Sequence, residues 1–167
     1  MKNTKKITFF ALFCTLAMML SYLEALLPPL FTAVPGIKMG LPNLVIVSVL
    51  YLYGVKAAAS VSLLRLVLSF LLFGNAVTAA YSLAGAALSL LVMALVKKLS
   101  VFSTVGVSIT GAVTHNLGQI VVAVFLFDSL SIGYYMLVLT LTGTLAGCVI
   151  GIAAALLHKR LAKLLRS

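Results

Sequence analysis

Long blocks of Leu, Val, Ala, Ile and Phe, broken by single lysines, glycines and prolines, set the pattern of this chain. The blocks show no alternation of period two, which argues for helices rather than strands. A spanning helix needs about 20 apolar residues, or fewer where neighbours bury it. Six blocks qualify, at roughly 5–27, 41–55, 57–73, 76–97, 102–127 and 131–158. The second and third are short and separated only by Gly54-Val55-Lys56, so a tight hairpin is predicted there. The pattern therefore predicts one membrane domain over 1–167, an all-α six-helix bundle.

Composition removes the soluble alternative. The chain is 63% hydrophobic and 8% charged over 167 residues, whereas a soluble domain carries about a quarter charged residues. The N-terminal "MKNTKKITFFALFCTLAMML" has the basic head of a secretory signal. Its apolar run continues to Leu27 without a small-x-small cleavage site, so it is read as an uncleaved first span.

The net charge of +10 does not point to nucleic acid, because the basic residues sit between apolar runs and at the two ends. With the N-terminus inside, the cytoplasmic side collects Lys2, Lys5, Lys6, Lys56, Lys97, Lys98, Lys159, Arg160, Lys163 and Arg166. The outer side keeps only Lys38, with the two acids Glu24 and Asp128. That asymmetry is a positive-inside pattern and places both termini in the cytoplasm. No G-x-x-x-x-G-K-[ST] occurs, so energy for any transport has to come from an ion gradient or a partner subunit.

Polar residues inside the apolar blocks are the candidates for chemistry. Arg65, in "VSLLRLVLSF", is costly to bury unless paired or hydrated. It either pairs with Glu24 or with carbonyls, or anchors an anionic or carbonyl-bearing ligand. In "GAVTHNLGQ", His115 and Gln119 are four apart and Asn116 and Gln119 three apart, so the three share one side of a helix. A metal site lacks support, since the other histidine, His158, lies at the opposite membrane edge and no carboxylate accompanies His115. A catalytic triad is excluded by the shortage of acids. Ligand contact, inter-helix hydrogen bonding and a proton relay stay open for this face.

The loop "LLPPLFTAVPGIKMGLPN" is kept irregular by Pro28-Pro29, Pro35-Gly36 and Gly40-Leu41-Pro42. It either hugs the membrane or forms a lid that turns Lys38 and Asn43 toward the bundle. Gly143, Gly147 and Gly151 make a flat face for close helix approach, as Ala76, Ala80 and Ala84 do in the fourth span. Ala11 and Thr15, four apart beside Cys14, pack internally or receive a partner helix. Cys14 and Cys148 lie in apolar runs and read as packing residues rather than a disulfide or ligand pair.

Four blocks, "PGIKMGLPNLVIVSVLYLYG", "SLLRLVLSFLLFG", "YSLAGAALSLLVMALVKKL" and "GVSITGAVTHNLGQIVVAVFLF", resemble in order the bacterial family called heptaprenyl diphosphate synthase component I, or Gx transporter family. That family in turn resembles the substrate-binding S components of energy-coupling factor (ECF) vitamin transporters. The resemblance implies a six-helix bundle in the bacterial cytoplasmic membrane, with a pocket near the outer face capped by the first loop. It also implies that Ala11 and Thr15 meet an ECF coupling subunit, with ATPases behind it. Thr15 departs from the alanine usual at its position. An enzymatic role is not expected, because prenyl diphosphate synthases hold Mg²⁺ on aspartate clusters and this chain has one Asp and one Glu.

Two functions follow. One is a membrane subunit that binds a small organic molecule for uptake, such as a vitamin or an isoprenoid- or quinone-related compound. Lys38, Asn43, Arg65, His115, Asn116 and Gln119 would contact that ligand, with no cofactor and no metal. The other is a non-transporting scaffold or accessory subunit in isoprenoid, quinone or redox metabolism, in which the same residues serve packing.

Overall fold

The computed structural model describes residues 2–26 and 40–166, with side chains for 7–26, 40–130 and 132–160. Within them the secondary structure is helical throughout: α1 (Lys2–Leu26), α2 (Asn43–Tyr53), α3 (Val55–Phe73), α4 (Ala76–Lys98), α5 (Thr104–Phe127) and α6 (Tyr135–Arg166). A short 3-10 turn, Leu130–Tyr134, leads into α6. Five helices are long and apolar enough to cross a membrane, and α2 is not. With 11 residues it extends only about 16 Å, about half the hydrocarbon thickness.

The first five helices begin and end within three residues of the expected apolar blocks, with informative differences. The hairpin after α2 is tighter than Gly54-Val55-Lys56, because Val55 and Lys56 already belong to α3. Gly54 alone makes the turn at φ 84°, a backbone conformation open to glycine and costly for a residue with a Cβ. The fifth helix starts two residues later than expected, where the Ser103 side chain accepts from the Gly106 amide. Asn75 and Thr78 form a reciprocal capping box at the start of α4. The last helix runs beyond 158 to Arg166.

The short helix is the centre of the bundle. Its sequence "NLVIVSVLYLY" has no polar face, so burial on all sides is its stable state. Seven of its residues, from Asn43 to Leu50, are buried, and α2 touches each of the other five helices. The others run as a sequence of neighbours around it: α1 beside α3, α3 beside α4, α4 beside α5 and α5 beside α6. Phe13, Cys14 and Ala17 of α1, Met93 of α4 and Ala154 of α6 complete the core around Val45–Leu50.

Small residues fix the tightest seams. A Cβ at Gly147 would lie 2.7 Å from the Ile109 Cα, and one at Gly151 2.7 Å from the Val105 Cα. The Gly143-Gly147-Gly151 face is therefore internal packing of α6 on α5, not a free docking face. Gly118 of α5 meets Ala84 and Gly85 of α4 equally closely.

The direction of α2 is set at its C-terminal end. Its last carbonyls lack intrahelical donors, and Lys97, in the last turn of α4, donates from Nζ to the Leu50 carbonyl at 2.6 Å. The same Nζ lies 4.8 Å from the centre of the Tyr51 ring, which stacks on His158 of α6 at 5.4 Å. The C-terminal end of α2 thus shares one end of the bundle with that of α4, and Lys56, Lys98, Lys159 and Arg160 gather toward it. Lys97→Met removes a charged donor from a carbonyl that gains no substitute. A loss of about 2 kcal/mol is expected, read as a lower thermal midpoint of the purified protein.

Candidate functional site

Polar side chains from five helices converge where the chain turns into α2. Glu24 of α1, Asn43 of α2, Ser62 and Arg65 of α3, Ser82 of α4 and His115 of α5 line one enclosed space of about 10 Å³. Such a space holds about one water and no organic molecule. Gly40 and Pro42 close it from the side of the turn.

Glu24 organises the turn. Its carboxylate accepts from the backbone amides of Gly40 and, at 3.2 Å, Leu41. Gly40 adopts φ 82°, so its amide can point back toward α1 without a Cβ penalty. The Gly40 carbonyl then accepts from the Asn43 amide at 2.8 Å. A carboxylate just ahead of a helix start is also favourably placed in the field of the helix. Glu24 lies in the last turn of its own apolar helix. Its position as one of two acids was legible in the sequence, but its partners, sixteen and seventeen residues away, were not.

Arg65 is 6% exposed. Its Nη1 donates to the Ser21 hydroxyl at 3.2 Å, and that hydroxyl donates to the Ala17 carbonyl at 2.9 Å. Glu24 attracts the guanidinium electrostatically across the junction. The Nε is buried and meets no hydrogen-bond acceptor among the described residues. At Arg65, therefore, a counter-charge is near and donor capacity is left over.

The three polar residues of α5 do not act as one face. His115 and Gln119 pair with each other, ring Nε2 to side-chain amide nitrogen, at 3.0 Å. With that amide donating, Nε2 is the acceptor and the ring proton sits on Nδ1. The ring fits against Gly85, where a Cβ would stand 2.9 Å from Nδ1, and faces Gly40 on another side. Asn116 turns away, because consecutive helical residues diverge by about 100°. Its Nδ2 donates to the Leu139 carbonyl at 2.8 Å, and Gly143 leaves room for it. Asn116 thus binds α6 to α5, while His115 borders the junction and Gln119 buttresses it.

Asn43 joins the junction from below, where its Nδ2 donates to Ser89 at 3.4 Å beside Gly111. Lys38, Pro28-Pro29, Pro35-Gly36 and the lid that this part of the loop was expected to form lie outside the described residues. Ala11 and Thr15 are exposed on the outer face of α1, and the Thr15 hydroxyl is returned to the Ala11 carbonyl at 2.9 Å. Ser21, Ser62 and Ser82 were not singled out in the sequence. A small hydroxyl in an apolar run is too common to carry a signal by itself.

Comparison with curated proteins and with solved structures gives no significant match. A family model does match, over residues 13–157, a stretch that reaches into all six described helices and includes the whole polar junction. The chain belongs to the heptaprenyl diphosphate synthase component I family.

Proposed function

We propose that this protein is a substrate-binding membrane subunit for uptake of a small organic molecule, with the ligand held at the junction beside the Gly40–Pro42 turn. The observation that carries the reading is the junction itself. Five apolar helices each contribute a polar side chain to one enclosed point, and Arg65 retains an unused buried donor there. Keeping such a group in an apolar bundle is costly, and a ligand carboxylate, phosphate or carbonyl would offset that cost. Arg65, His115 and Asn43 are its contacts on this reading, with Gln119 holding the imidazole. Lys38 is proposed as a further contact. Because the space holds about one water, binding requires the walls of the junction to move aside.

The membrane arrangement proposed is six passes with both termini in the cytoplasm. In it α2 is a half-length pass that starts within the membrane and ends among the lysines. The location of Lys97, Tyr51 and His158 at one end supports that parity, and the basic residues there face the cytoplasm. The exposed Ala11–Thr15 face of α1 suits a coupling subunit of the ECF kind. The family name describes an association with prenyl diphosphate synthesis. One Asp and one Glu in the chain supply too few oxygens for a Mg²⁺-diphosphate site, so a non-enzymatic part is proposed.

Native mass spectrometry of the protein isolated with its membrane partners tests this reading. The expected result is a retained small molecule that is lost in Arg65→Ala and kept in Asn116→Ala, whose defect is confined to thermal stability. Retention of the same molecule by Arg65→Ala moves the ligand elsewhere. No retained molecule in any preparation, with only a stability loss in each variant, leaves the scaffold reading.

A further inference from the structure

A groove of about 300 Å³ lies between α3 and α4 and includes Arg65 in its lining. The two helices meet less closely than α4 and α5 do. Arg65, Ser69, Thr78 and Ser82 form its polar part, and its walls include Phe70 and Leu83. Both of these large side chains are exposed on the outer surface of the bundle, so the groove opens toward lipid. Arg65 and Ser82 line the groove and the junction alike.

The geometry points to a binding site for an amphiphile with one apolar chain and one anionic headgroup, taken up sideways from the bilayer. The proposal rests on Arg65 as a ligand contact and names the chemistry of that ligand. Three observations on the groove select it. Arg65 is more than nine-tenths buried, is part of the groove lining and keeps its Nε without an acceptor among the described residues. Guanidinium groups bind carboxylate and phosphate oxygens in pairs, so an anionic head fits that donor set. Glu24 supplies a nearby counter-charge, with its Oε1 accepting from the Gly40 and Leu41 amides, and the Arg65 Nε is still left without an acceptor among the described residues.

Depth and size select the rest of the molecule. Arg65 reaches Ser21, about 7 Å of helix from the end of α1 at Leu26. A headgroup drawn slightly inward from the leaflet surface meets the guanidinium there, with the Ser69, Thr78 and Ser82 hydroxyls nearby. The chain then lies along the apolar wall. A volume of about 300 Å³ is at the lower end for ligand sites, which suits one chain rather than the two of a phospholipid.

The test uses dodecyl phosphate carrying a diazirine on its alkyl chain, added to the full-length protein in phosphatidylcholine nanodiscs and photolysed. Labelled peptides are mapped. Labelling concentrated on residues 63–70 and 79–83 is expected, falling at least fivefold in Arg65→Met. Ala80→Leu, which narrows the groove and leaves the guanidinium in place, is expected to reduce it by a similar factor. Helical circular dichroism and elution volume identify a variant that has failed to fold, and Ala80→Leu keeps the test decisive if Arg65→Met does.

Equal labelling by the diazirine analogue of dodecanol would overturn the proposal, because the charge would then be irrelevant. Labelling spread evenly over lipid-facing positions of α6, such as Leu137 and Leu145, would also overturn it. So would labelling of the groove by a photoreactive phosphatidylglycerol but not by dodecyl phosphate. A positive result with no uptake in cells retains the site and removes transport. A negative result here with a water-soluble molecule in native mass spectrometry retains the uptake reading and removes the amphiphile.

Discussion

Gly147→Leu is expected to lower the thermal midpoint of the purified protein by about 10 °C, corresponding to a loss of about 3 kcal/mol. The reason is where the new atoms would go. A Cβ alone at this position lies 2.7 Å from the Ile109 Cα, 3.0 Å from the Ala112 Cβ and 3.1 Å from the Ser108 carbonyl oxygen. Two of these three are main-chain atoms, which cannot rotate aside as the end of a long side chain can. Association of helices in lipid lacks the hydrophobic driving force of water and depends on close packing. Lifting α6 from α5 therefore removes much of what joins them, including the Asn116–Leu139 hydrogen bond about two turns away along α6.

The same geometry predicts non-additivity. Gly151→Ala meets the Val105 Cα at 2.7 Å, so it separates the same pair of helices. Once Gly147→Ala has moved α6 outward, Gly151→Ala has less to displace, and the double variant should lose less than the sum. Gly133→Ala is the control, with nothing within 4 Å of the added carbon, and should stay within about 0.5 kcal/mol of the parent. Equal losses at positions 133 and 147 would show that the seam does not hold the two helices together.

How much was legible in the sequence depended on whether a feature was local. The helices could be read from the length of apolar runs, and the close approach of α6 from glycines four apart. The burial of α2 was partly legible, since "LVIVSVLYLY" offers no side to water. That it is a short central helix, touched by all the others, depends on how the bundle closes and is not a property of its own residues. The α5 triplet shows the limit from the other side. Spacing placed His115, Asn116 and Gln119 on one half of a helix, but α4 and α6 divide that half between them. Glu24 and Lys97 were visible only as charges near span ends. Their partners, the Gly40 and Leu41 amides and the Leu50 carbonyl, are backbone groups that carry no signature in the chain.

Glu24→Gln is expected to cost about 3 kcal/mol, because it leaves the buried guanidinium of Arg65 without a counter-charge. Gln retains an oxygen for the Gly40 and Leu41 amides, so the substitution changes charge more than it changes the turn. Arg65→Met should cost less, since the Glu24 carboxylate keeps two backbone donors and the Met chain fills the space of the Arg stem. In the double variant no charge is buried, and the loss should fall below that of Glu24→Gln alone. The coupling between the two positions is then on the order of 2 kcal/mol, within the range found for neighbouring charged groups. Strictly additive losses would mean that the two charges do not sense each other across the junction. If coupled as expected, the double variant folds well and still lacks the guanidinium, which separates the stability of the bundle from its capacity to hold an anion. A protein with near-parental stability and no retained ligand then places Arg65 in binding rather than in folding.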